Sequence, residues 1–256
     1  QLHPILAMVF RPTLISAVIP AKNAARVLSG TLSSIQWAIR FSPVPVEIVV
    51  VDDGSTDATS RIAAAHGALV VRTPGWGYKV GLHLSDIGRV RNEGIKASHG
   101  DCVVSLDADC TIGADYLLRA FHGLQRAPIV VGSRHAKDPH APGAVAFTQA
   151  TAPLLAAMNH GAMEFSVAFR RSLFPSGEAF APHGWREIRG IIDGRRHLVL
   201  NDPEMIVYTT LGTWRQAVGL AVSLVAPVHS QRAVMKYHLS RFETAMRAFQ
   251  RTWPTR

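Results

Sequence analysis

Two short apolar runs open the chain, Leu14 to Ile19, closed by Pro20, and Val46 to Val51, which ends in two aspartates. Neither alternates with polar residues, so each is expected to be a strand covered on both faces, as in a parallel sheet. Between them Ala24 to Arg40 carries Val27, Leu28, Leu32, Ile35, Trp37 and Ile39 at roughly helical spacing. The opening unit therefore reads strand, helix, strand. After Asp53, Ser55 or Thr56 is placed to cap a helix from Asp57 to His66. Ala68 to Val71 and Cys102 to Leu106 are further strands, with a helix over Arg89 to Ser98 between them. A helix over Tyr116 to Gln125 and a strand over Pro128 to Gly132 close the first half. This alternation predicts an α/β fold with a mostly parallel, Rossmann-like sheet and helices on both faces.

Arg72 to Arg89 interrupts the alternation with Gly75, Gly77, Gly81 and Gly88. Loops of this length inside compact domains are functional or disordered. If functional, Trp76, Tyr78 and Lys79 would close over a ligand and exclude water. His135 to Pro153, rich in Pro, Ala and His, is the expected internal boundary. The division is thus 11–132 for an α/β half, 133–230 for a second half of the same domain, and 231–256 for a C-terminal helix. In that helix Met235, Leu239, Phe242, Met246, Phe249 and Trp253 fall on one stripe, with Arg232, Lys236, Arg241, Arg247 and Arg251 on other faces. It is expected to dock on its own domain, form a homodimer contact, or adsorb to an anionic membrane.

With 48% hydrophobic residues in 256, the chain can bury a full core and is not a disordered polymer. An excess of 27 Lys and Arg over 18 Asp and Glu gives a formal charge of +9 and points to an anionic partner. A nucleic acid is not expected, because no motif interleaves aromatic and basic residues. The 2 cysteines, Cys102 and Cys110, are too few for a disulfide framework and wrongly arranged for zinc, so they read as buried thiols. No apolar run reaches the roughly 18 residues of a membrane span. Gln1 to Phe10 lacks the charged region and cleavage site of a secretory leader. The expected location is the cytoplasm, including the inner face of the membrane.

Ligands of such sheets bind at the carboxyl ends of the strands, where Asp52-Asp53 and Asp107-Ala108-Asp109 fall. Carboxylates against a core are costly unless something compensates their charge. In an extended Asp-x-Asp both side chains lie on one side, which suits a hard divalent cation completed by phosphate oxygens and water. The bland alternative for an isolated Asp-x-Asp is a solvated turn.

Four segments in order, Val18-Ile19-Pro20-Ala21-Lys22-Asn23, Val49-Val50-Val51-Asp52-Asp53-Gly54-Ser55-Thr56-Asp57, Arg91-Asn92-Glu93-Gly94-Ile95 and Leu106-Asp107-Ala108-Asp109, resemble the signatures of family 2 glycosyltransferases. The resemblance spans roughly Leu14 to Gly132. It implies a GT-A fold, a nucleotide-binding sheet merged with an acceptor-binding half, and a metal-dependent inverting transfer from a UDP or GDP sugar. It places Pro20, Lys22, Asn23, Asp52 and Asp53 around the nucleotide, and Arg91 at the diphosphate or the turn around it. Asp107 would face the ribose or the metal, and Asp109 would ligate Mn²⁺ or Mg²⁺.

Phe169-Arg170-Arg171-Ser172-Leu173-Phe174 resembles the segment that precedes the family's catalytic Glu-Asp pair, but Gly184-Trp185-Arg186-Glu187-Ile188 stands where the pair belongs. Glu187 is the expected base, with a surface carboxylate paired to Arg186 or Arg189 as the alternative. Asp193, Asp202 and Glu204 are fallback bases, and Asp202-Pro203-Glu204 is expected to turn between strands. His183 and His229 are weighed as metal ligands against satisfied or solvated histidines. The family's Gln-x-x-Arg-Trp signature of processive synthesis is absent, which favours transfer of a single sugar. The acceptor is a hydroxyl or phosphate, a lipid-linked one included. The competing reading is a catalytically degenerate nucleotide-binding scaffold of the same fold.

Overall fold

The computed structural model describes residues 10–76, 86–136, 166–180 and 199–209. The strands are β1 (Ile15–Ala21), β2 (Val46–Asp53), β3 (Leu69–Thr73), β4 (Cys102–Leu106), β5 (Cys110–Ile112), β6 (Ile129–Ala136), β7 (Ser166–Arg170) and β8 (Val199–Thr209). The α-helices are α1 (Leu28–Ile39), α2 (Thr59–Ala65), α3 (Ile87–Ala97) and α4 (Tyr116–Arg126). All eight strands form one sheet in the order β3-β2-β1-β4-β7-β6-β8-β5. β3, β2, β1 and β4 run parallel, β7 is antiparallel to both neighbours, and β6 and β8 are parallel.

The apolar runs become strands because both faces are covered. On one face Leu28, Leu32 and Ile35 of α1 and Leu117, Ala120 and Leu124 of α4 pack on Ile19, Val50, Val104 and Leu106. On the other, Val90 and Ile95 of α3 join Val18, Val49, Val51 and Val103, with Phe169, Phe174 and Phe180 completing the layer. Gly94 sets how closely α3 approaches: a Cβ there would stand 2.5 Å from Val18 Cγ1 and 2.7 Å from Val51 Cγ2.

Several expectations are corrected. Pro20 does not close β1, which continues to Ala21. The first helix starts at Leu28 rather than Ala24, because residues 23–25 are tied to the loop after β2. Neither Ser55 nor Thr56 caps α2, whose N-cap is Ala58 without a side-chain cap bond. Asp202-Pro203-Glu204 is not a turn between strands but lies inside β8, at a register jump from Gly132↔Asp202 to Ser133↔Ile206. The strand expected over Pro128 to Gly132 runs on to Ala136 as β6. β5 and β7 had no signal in the hydrophobic pattern. The rest of the expected boundary, and the helix over 231–256, lie outside the described residues. Among the described residues no helix is long and apolar enough to cross a membrane.

Candidate active site

The carboxyl edge is built from the loops after β1, β2 and β4. Asn23 takes a left-handed conformation with φ 49° and accepts at Oδ1 from the Thr56 main chain at 2.9 Å. Its own N–H goes to Ser55 Oγ at 2.9 Å, and the Ala24 N–H to Thr59 Oγ1 at 2.8 Å. Asp57 accepts from the main-chain N–H groups of Ala25 and Thr59. The loop after β1 is thus fastened to the one after β2 by short polar side chains that satisfy orphan main-chain groups.

Successive residues of a strand face opposite sides, and the two aspartates that end β2 have different fates. Asp52 turns to the α1 and α2 side, where the Ser55 N–H reaches Oδ1 at 2.9 Å and the Ser60 hydroxyl bonds Oδ2. Burial opposes its charge, but the bonds from Ser55 and Ser60, aided by Arg72, outweigh burial and hold the carboxyl below its ordinary range. Asp52 therefore braces the turn after β2. Asp53 lies on the α3 side. Its Oδ1 accepts from Thr73 Oγ1 at 2.6 Å and from the Trp76 N–H at 2.7 Å, while Lys22 Nζ stands 3.6 Å from Oδ2. Gly54, at φ +68°, allows the turn after β2 to lie against the loop after β3: a Cβ there would press on the Gly75 backbone at 3.1 Å. The Arg89 guanidinium lies over the Trp76 ring, 3.7 Å from its centroid.

The same α3 face carries Arg91, whose side chain is only 2% exposed. It donates from Nη2 to Asp107 Oδ1 at 2.5 Å and from Nη1 to Ser105 Oγ at 2.6 Å, so the tip of β4 is held by one planar cation. Of the two expected places for Arg91, at the diphosphate or at the turn around it, the structure shows the contact with the turn. Asp107 to Asp109 is not extended. The Cys110 N–H bonds the Asp107 carbonyl at 3.3 Å, closing a turn. That turn brings ligand atoms of Asp107, Asp109 and Cys110 within 4.8 Å of one another, the carboxylates partly exposed and the thiol buried. Two carboxylates with room for further oxygens fit a hard cation better than a thiolate site. Cys102, by contrast, is a core thiol pushed up to about 12 by burial, with Asp101 adding to the effect.

By register Val18 faces Ser105 and Pro20 faces Val51. Pro20 therefore lies between the tips of β2 and β4, and Asp53 and Asp107 are two strands apart, on the order of 10 Å. They lie on the α3 face of the sheet but cannot share one ion.

The family model described as Glycosyl transferase family 2 matches residues 16–165, more than half of the chain. The chain belongs to this family. A low-salt glycan biosynthesis hexosyltransferase of Haloferax volcanii is 33% identical over 125 residues, 48% of this chain and 28% of that protein. An uncharacterised glycosyltransferase of Mycobacterium tuberculosis is 31% identical over 121 residues, 47% of this chain and 48% of that one. The chain thus matches less than half the length of these relatives. Glucosyl-3-phosphoglycerate synthase of M. tuberculosis, solved with Mn²⁺, UDP and glucosyl-3-phosphoglycerate, shares the fold at TM-score 0.60 and 23% identity, covering 86% of this chain and 80% of that one. Staphylococcus aureus TarS 1-349 with UDP-GlcNAc gives TM-score 0.58 at 14% identity, covering 82% and 66%. The mixed sheet with helices on both faces is therefore the GT-A fold of family 2.

Sequence reasoning missed Thr73 and Ser105, which bond Asp53 and Arg91. A hydroxyl one residue before a β4 tip gives no pattern by itself. Glu187, His183, His229, Asp193, Tyr78 and Lys79 lie outside the described residues. Asp202 and Glu204 are placed by main chain only.

Proposed function

We propose that the chain transfers a single sugar from a nucleotide-diphosphate donor, UDP- or GDP-linked, to an acceptor hydroxyl or phosphate with inversion. The observation that carries this reading is the convergence of Asp107 and Asp109 at the tip of β4, with Asp107 fixed by the buried Arg91. Mn²⁺ or Mg²⁺ held by the two carboxylates would supply Lewis-acid neutralisation of the departing diphosphate.

The rest is the work of the chain's own residues. Asp53, ordered by Thr73, Trp76 and Lys22, offers an acceptor edge for a base N–H such as uracil or guanine carries, beside the main chain at Pro20. Lys22, beside Asp53, would offer its charge to a phosphate. Asn23 would hold the loop after β1 in place by bonding Thr56. Glu187 would take the acceptor proton as the acceptor oxygen bonds the anomeric carbon and the nucleoside diphosphate leaves. The striped basic segment 231–256 would bring the enzyme, on the cytoplasmic side, to a lipid-linked acceptor or to a second copy. Loss of binding to anionic vesicles at low salt when Lys236 and Arg247 are reversed to Glu tests the first of these.

The deciding assay is release of nucleoside diphosphate from a panel of UDP and GDP sugars, with Mn²⁺ or with EDTA. The reading predicts metal-dependent release for one donor class. Nucleotide binding without turnover on any donor and acceptor would support the scaffold instead.

A further inference from the structure

Arg91 lies over the Phe180 ring, whose centroid is 5.4 Å from the guanidinium carbon. Phe180 is brought there through its main chain. Asn92, the next residue of α3, donates Nδ2 to the Phe180 carbonyl at 2.8 Å and accepts the Phe180 N–H at Oδ1, 2.9 Å. One carboxamide thus pairs both main-chain groups of a single residue, as a neighbouring strand would. Both residues are buried, at 5% and 3% exposure, and the Phe180 ring stands edge-on to Phe169 at 6.2 Å. The same segment also meets α3 at the surface, where Lys96 Nζ lies 3.3 Å from Glu178.

We propose that Asn92 and Phe180 are positioning residues for the divalent-cation site. Asn92 fixes the Phe180 main chain, the ring keeps water from the Arg91 guanidinium, and Arg91 so held aims the Asp107 carboxylate at Asp109. The proposal rests on reading Asp107 and Asp109 as metal ligands. Only a carboxamide offers a donor and an acceptor on one short planar group, so neither Asp nor Ser at 92 reproduces both bonds. With the ring gone, water reaches the guanidinium, the local dielectric rises and the hydrogen-bonded charge pair weakens. Partners behind a metal-ligating carboxylate characteristically change metal affinity by about 10- to 100-fold.

The test is Mn²⁺ binding to the whole chain, read from the free-ion paramagnetic resonance signal without donor or turnover, with folding followed by circular dichroism. Asn92→Ala and Phe180→Ala are expected to weaken Mn²⁺ binding about 10-fold, and Phe180→Leu, which keeps an apolar cover but no ring face, by less. Lys96→Ala, which breaks the surface contact of the same segment, is expected to bind as wild type does. Folded Asn92→Ala and Phe180→Ala proteins with unchanged affinity would overturn the proposal, as would an equal loss in Lys96→Ala, which would make the effect a general loosening. If the alanine variants do not fold, Phe180→Leu decides: affinity and salt dependence identical to wild type overturn the proposal. A wild-type chain that binds no Mn²⁺ removes the underlying metal reading, an outcome distinct from the other three.

Discussion

Arg91 and Asp107 are the pair on which the edge of the sheet turns. The guanidinium is buried while the carboxylate is partly open, so the cation has no recourse to water if its partner is lost, and a buried pair broken on one side characteristically costs about 3–5 kcal/mol. Asp107→Ala strands the guanidinium and is expected to lower stability by about 3 kcal/mol in urea unfolding and to weaken Mn²⁺ binding together with it. Asp52 makes a different prediction. Its folded pKa lies below the ordinary 3.8 because hydrogen bonds outweigh burial. A depressed carboxylate contributes stability that is complete above the unfolded value and is lost as pH falls through the folded one. The stability gap between wild type and Asp52→Asn should therefore be full near neutrality and close only below about pH 4 in acid titrations. A gap that does not change with pH would contradict the bracing role.

At the scale of elements, α3 matters most, since one helix carries Arg91 and Asn92 on the face that Gly94 lets approach the sheet. Gly94→Ala forces a methyl against Val18 and Val51 and is expected to cost about 1–3 kcal/mol. Because α3 must back away, Mn²⁺ affinity should fall even though position 94 touches no ligand. A thermal melt and a metal titration on the same sample check both effects. Apart from β5, the strands and helices from β1 to α4 were legible because each has a local signature: an unbroken apolar run of strand length, or a helical repeat. The side-chain bonds that fasten the loops were not. Ser55 and Thr56 look like helix caps in sequence, yet Asn23, 32 and 33 residues away, takes both. The two aspartates of β2 likewise look alike, and the alternation of the strand sends them to opposite faces.

Taken as a whole, the described residues build one sheet whose middle depends on a strand from far along the chain. β7 inserts between β4 and β6, antiparallel to both, and its five residues carry no periodicity that announces a partner 60 or more positions earlier. Long-range pairing of this kind leaves no local trace, which is why the first half was readable and the second was not. It also makes the halves inseparable. A chain ending at residue 136 would expose unpaired edges on β4 and β6 and is expected to lose cooperative unfolding and aggregate; a sharp, reversible melt from that fragment would show the halves to be independent.

The central claim is that the turn after β4 holds a divalent cation on which sugar transfer depends. Its most direct test is a Mn²⁺ titration of the wild type and of Asp109→Asn, a neutral isostere that leaves the Arg91–Asp107 pair intact, read by paramagnetic resonance in the presence of UDP. The account predicts saturable binding in the wild type and a loss of at least about 10-fold in the variant. Equal binding by the two proteins would contradict it.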